Sequence, residues 1–172
     1  MSPSVKIILY TGIGVATLAG ILWYAQPNRQ PQTTGNEPTV STVVNNTVQV
    51  DKTSYDFGTI SMKDGNVNTT FAIQNTQKAD LLLTKLYTSC MCTTALLKIN
   101  GVTEGPFGMP GHGLTPKSFN QALAIGQTAE IEVEFDPNAH GPSGVGVIER
   151  QVILETPQGR LTTFDLKANV IP

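Results

Sequence analysis

Residues 128–137 read TAEIEVEFDP, and this stretch decides the fold. Ala129, Ile131, Val133 and Phe135 alternate with Glu130, Glu132, Glu134 and Asp136. Successive side chains of an extended chain point to opposite faces, so a period of two buries one row and leaves the other in water. The carboxylates invite a second reading as acid–base or calcium ligands. Their strict register with the apolar row makes a solvated strand face the simpler one.

The same period extends in both directions. TVQVDKTSYDFGTI (47–60) alternates before a turn at KDGN (63–66). VNTTFAIQNT (67–76) sets Val67, Thr69, Phe71 and Ile73 on one face. ADLLLTKLYTSC (79–90), VIERQVILET (147–156) and LTTFDLKANVI (161–171) complete the set, the last with Phe164, Leu166, Ala168 and Val170 on one side. Seven or eight short strands, with turn signals between them and no amphipathic helix, predict an all-β antiparallel sandwich of roughly 125 residues. The Cys…Trp…Cys spacing of antibody domains is absent, because the single Trp is Trp23. The run from Thr94 to Gln127 breaks the pattern with five glycines between Gly101 and Gly113 and with Pro106, Pro110 and Pro116. Irregular runs of this length in compact domains are usually functional or disordered.

With 11 Lys+Arg against 13 Asp+Glu, scattered singly, the 172-residue chain offers no basic stripe for phosphates, and a nucleic-acid partner is not expected. Ile7 to Ala25 carries no charge. As a helix it would rise roughly 28 Å, the thickness of a bilayer's hydrocarbon. Lys6 flanks one end, and Trp23 and Tyr24 lie at the other. These features predict a single N-terminal transmembrane helix at 7–25, with residues 1–6 cytoplasmic and the remainder extracytoplasmic. A cleaved signal peptide is the alternative, but Trp23 is a poor residue at the third-last position before a cut after Ala25. Ile21 stands where a lipoprotein box needs Cys. Residues 26–46, rich in Pro, amides and hydroxyls, read as a flexible linker to a domain at 47–172.

The runs YDFGTI (55–60), TFAIQNT (70–76), SCMCTTA (89–95), IEVEFDP (131–137) and LKANV (166–170) resemble a bacterial family known as domain of unknown function 1573. The resemblance spans about Thr47 to Ile171 and is most specific in Ser-Cys-x-Cys-Thr. It implies an immunoglobulin-like sandwich, related in shape to modules of major sperm protein and of cilium- and centrosome-associated proteins. It implies no activity. Against the family pattern, the loop near 98–126 looks like an insertion.

Cys90 and Cys92 are the only cysteines. Outside the cytoplasm lone thiols tend to be oxidised, and each has only the other as a partner. On a regular strand the two would share a face with Cα atoms roughly 6.6 Å apart, at the edge of disulfide geometry. Two thiols on one face also suit one soft ion. Met109 and His112, in a Gly/Pro-rich run able to fold back, would complete a Cu(I) site of Cys90, Cys92, Met109 and His112. Zinc more often takes four Cys/His ligands. The bland alternatives are small buried thiols, a methionine plugging the loop and a solvated histidine. His140, in FDPNAHGPSG (135–144), reads as a turn residue without the partners a hydrolase needs. Three functions follow: a non-enzymatic Cu(I)-binding module, a cell-envelope protein-interaction or scaffold module, and a thiol–disulfide exchange protein. The last lacks the usual Cys-x-x-Cys at a helix start.

Overall fold

The structure is a computed structural model, and it describes residues 44–45, 48–113 and 118–172. The helix expected at 7–25 and the linker up to residue 43 lie outside the described residues. Among the described residues no helix is long and apolar enough to cross a membrane. The helical pieces there are two short 3-10 turns, Met62–Asp64 and Gly141–Gly144.

The chain forms β1 (Val44–Asn45), β2 (Val48–Val50), β3 (Ser54–Ser61), β4 (Val67–Asn75), β5 (Leu81–Leu83) and β6 (Lys85–Thr88). It continues with β7 (Thr93–Ile99), β8 (Val102–Phe107), β9 (Gln121–Leu123), β10 (Thr128–Phe135), β11 (Gly146–Thr156) and β12 (Gly159–Ile171). One sheet runs β1-β2-β4-β10-β7-β8, a second β3-β12-β11-β6, and β5 pairs with β9. The result is a sandwich of mostly antiparallel sheets.

The expected strand faces hold. In β10, Ala129, Ile131, Val133 and Phe135 are buried, while Glu130 and Glu134 are exposed and Glu132 half-buried. Glu132 takes an ion pair from Lys98 across the β7–β10 ladder, and Asn66 donates to Glu134 at 3.0 Å. The sheets meet through one apolar core in which Phe71 of β4 stacks on Phe164 of β12 at 4.6 Å. A second, smaller cluster of Cys92, Phe135, Ile148, Ala168 and Val170 fills one end of the sandwich.

Three features differ from the sequence reading. β12 pairs β3 in parallel, from Asp165↔Ser54 to Ile171↔Ser61. The hairpin to β11 occupies only one edge of β12, and the other accepts an early strand running the same way. Part of the run expected to be irregular is a hairpin, β7–β8. Asn100 (φ 51°) and Gly101 (φ 79°) both adopt the left-handed conformation that a two-residue turn between twisted strands demands. Val44 and Asn45, assigned to the flexible linker, pair with Gln49 and Val48 as β1.

Candidate functional site

Cys90 and Cys92 do not lie on a strand. They occupy the tight turn between β6 and β7, closed by the Thr93 N–H donating to the Cys90 carbonyl at 3.2 Å. Thr88, wholly buried, braces the turn: its Oγ1 is 2.9 Å from both the Cys90 and the Thr93 carbonyls. The bend demanded of a close Cys-x-Cys pair is therefore supplied by the backbone, and the spacing expected for an extended strand does not apply. The two Sγ atoms are 2.6 Å apart, with the Cys92 thiol donating to Cys90, and both cysteines are free.

This turn is a passage between sheets, since β6 belongs to the four-stranded sheet and β7 to the six-stranded one. The connection from β10 to β11 makes the opposite passage at the same end. Register brings them together: Phe135 pairs with Thr93, and the Asp136 N–H donates to the Cys92 carbonyl at 2.8 Å. The β10–β11 connection is set by local bonds. Asp136 Oδ1 accepts from the Asn138 N–H at 2.7 Å, and the His140 carbonyl accepts from the Ser143 hydroxyl at 2.8 Å. It delivers His140 Nε2 to 3.1 Å from Cys90 Sγ. The ligand atoms of Cys90, Cys92 and His140 all lie within 4.8 Å of one another.

Arg150, on β11, closes the site from the other sheet. Its Nε donates to Cys92 Sγ at 3.2 Å and its Nη1 to the Glu149 carbonyl at 2.8 Å. β11 is pinned beside the turn by reciprocal bonds: the Ser89 N–H donates to the Gln151 carbonyl at 2.9 Å, and the Gln151 N–H to Ser89 Oγ at 2.8 Å.

The two thiols differ in kind. Cys92 is 2% exposed, whereas Cys90 is half-buried and opens into a cleft of about 420 Å³. Burial works against a charge on Cys90. Hydrogen bonds from the Cys92 thiol and backbone N–H, the His140 contact and the Arg150 charge outweigh it and bring the thiol from an ordinary 9.0 down to about 7. Burial pushes the Cys92 thiol up, its bond to Cys90 adds to this, and Arg150 and Thr93 only partly offset them.

Met109, half-buried, and His112, exposed, line the same cleft as Cys90 and His140. A turn links them, the His112 N–H donating to the Met109 carbonyl at 3.2 Å. His112 lies outside the tight Cys90–Cys92–His140 group. In the sequence His140 reads as a turn residue, and Arg150 carries no local signal. Both reach the thiols through pairings that only the assembled sheets define.

Fold and site together define a β-sandwich module with a dithiol at one end. Residues 48–108 match the family described as "Protein of unknown function (DUF1573)". No curated protein matches the chain. Among solved structures, a protein of unknown function from Porphyromonas gingivalis W83 is 17% identical, with a TM-score of 0.49, over 72% of this chain and 46% of its own. A family 123 glycoside hydrolase from Clostridium perfringens is 9% identical, with a TM-score of 0.50, over 70% of this chain and 23% of its own. The ASH / PapD-like domain 7 of human CEP192 is 14% identical, with a TM-score of 0.39, over 82% of this chain and 98% of its own. The chain thus spans less than half the length of either of the first two, and the hydrolase likeness is one of fold alone.

Proposed function

We propose that this protein is a membrane-anchored, extracytoplasmic immunoglobulin-like module that binds Cu(I) through Cys90 and Cys92. His140 is the third ligand, and Met109 and His112 stand at the mouth of the site. The observation that carries this reading is the convergence of two sulfurs and one imidazole nitrogen within 4.8 Å at an open cleft. Soft thiolates select Cu(I), and a set of two sulfurs and one nitrogen falls short of the four ligands of a structural zinc site. Two thiolates around Cu(I) leave one net negative charge, which the guanidinium of Arg150, already against Cys92, offsets. To admit an ion the sulfurs must turn apart from their present contact, since metal–sulfur bonds of about 2.3 Å hold a ligand pair more than 3 Å apart. An anchor at 7–25, as the sequence predicts, puts the chain that follows it outside the cytoplasm.

The test is an anaerobic competitive Cu(I) titration of the reduced chain against a chromophoric chelator. The expected result is near one equivalent bound, with affinity lost in the Cys90→Ser/Cys92→Ser double variant. Unchanged affinity in that variant sinks the reading.

A second reading, a cell-envelope protein-interaction or scaffold module, draws on the apolar side chains beside the site. Met91 is 50% exposed and Val147 69%. It expects a partner whose capture survives loss of both thiols.

A further inference from the structure

We infer that the copper-free pair is a thiol–disulfide exchange couple, with Cys90 as the attacking thiol and Cys92 as the resolving one. Access assigns the first role. Cys90 opens into the cleft, while Cys92 is 2% exposed and packed among Phe135, Ile148, Ala168 and Val170. A disulfide entering the cleft meets the Cys90 thiol and not that of Cys92, which does not line it.

Proximity assigns the second role. Cys92 Sγ is 2.6 Å from Cys90 Sγ, against about 2.05 Å in a disulfide bond, so Cys92 is the thiol placed to resolve a mixed disulfide on Cys90. The Nε of Arg150 sits at 3.2 Å from Cys92 Sγ, where a thiolate forms during resolution, and His140 Nε2 at 3.1 Å from Cys90 Sγ, where the attacking thiolate forms. Each sulfur thus has its own nitrogen partner.

Cys90 gives up its proton to solvent, and its thiolate attacks one sulfur of the substrate disulfide. That S–S bond breaks, one substrate thiolate leaves and is protonated, and a mixed disulfide remains on Cys90. Cys92 then loses its proton and attacks the Cys90 sulfur. The mixed disulfide breaks, the second substrate thiol leaves, and the Cys90–Cys92 disulfide forms. Two electrons and two protons have passed from the pair to the substrate, and a second dithiol compound returns them. The substrate class is a disulfide in a peptide or protein able to enter an open cleft. Bound copper would occupy both sulfurs, so this activity belongs to the metal-free protein.

The experiment uses the full chain, stripped of copper with a chelator. Dithiothreitol is the reductant, and oxidised glutathione carrying self-quenched dyes is the probe. Wild type is expected to release fluorescent thiol at least about tenfold faster than the uncatalysed background, and Cys90→Ser to fall to that background. Cys92→Ala, which suits the apolar surroundings of Cys92, is reduced, freed of dithiothreitol and then given oxidised glutathione alone, and should accumulate the glutathione mixed disulfide on Cys90, visible by intact mass. A wild-type rate equal to background overturns the assignment, as does a Cys90→Ser variant that keeps its rate or a Cys92→Ala variant that traps nothing. Because copper is absent throughout, failure leaves the copper reading to its own titration.

Discussion

The Nε of Arg150 donates to the Sγ of Cys92 at 3.2 Å, across the join between the two sheets. The guanidinium also caps the Glu149 carbonyl on its own strand, so its position is fixed from both sides. A cation held against a buried sulfur favours the thiolate there and, through space, on Cys90 as well.

Replacing that cation should therefore slow the thiols. In Arg150→Gln the pH midpoint for alkylation of Cys90 by iodoacetamide should move upward from about 7. The rate near neutral pH should fall about threefold, since less thiolate is present. An unchanged midpoint would show that the charge of Arg150 does not reach Cys90.

Stability should follow the ionisation of Cys90. Its folded value is depressed, from 9.0 to about 7, so its contribution is fully present above the unfolded value and is lost as pH falls through about 7. Cys92 shifts the other way and acts only above 9.0, outside this window. Since Cys90 is half-exposed and screened by solvent, the effect should be about 1 kcal/mol, well below that of a buried group. Urea unfolding of reduced wild type, compared with Cys90→Ser at about pH 6 and about pH 9, should show wild type gaining this amount at the higher pH. The reverse trend would contradict the direction of the shift.

The two histidines of the cleft should not weigh equally in Cu(I) binding. His140 Nε2 lies 3.1 Å from a sulfur, whereas His112 stands outside the tight group. His140→Ala should weaken Cu(I) binding about tenfold or more, and His112→Ala by less than about threefold. A larger loss in His112→Ala would move the nitrogen ligand to the loop.

Asn75 joins the end of β4 to the β5–β9 pair. It is wholly buried, and its Nδ2 donates to the Leu123 and Ala79 carbonyls at 2.8 and 2.9 Å. Its Oδ1 accepts from the Gln77 N–H at 3.0 Å. Asn75→Ala strands all three partners and should cost about 2–3 kcal/mol in chemical denaturation, with the thiol chemistry at the far cluster unchanged.

Gly105 lies where β8 bulges against β7, at φ +122°. A Cβ there would stand 3.0 Å from the Ala95 carbonyl oxygen and 3.1 Å from Leu96 Cδ2. Gly105→Ala should destabilise by about 1–3 kcal/mol, measured as a lowered thermal midpoint. A neutral result would mean that β8 shifts freely off β7.

What the sequence determined by itself is the local part of this protein. The period of two in TAEIEVEFDP fixes which side of β10 is dry, because the extended backbone turns each side chain away from the last. The same reasoning reaches Phe71 and Phe164, which stack in the core. The Asn100–Gly101 pair is a turn signal in residue type, but the glycines and prolines around it hide the hairpin it closes. The nearness of Cys90 to Cys92 is also local, although their turn, and not a strand, brings the sulfurs into contact. The placement of His140 and Arg150 was decided only by tertiary structure. They lie 50 and 58 residues from the sulfurs they touch. Strand pairing and two passages between sheets put them there, and pairing across such distances in sequence leaves no period for a reader to find.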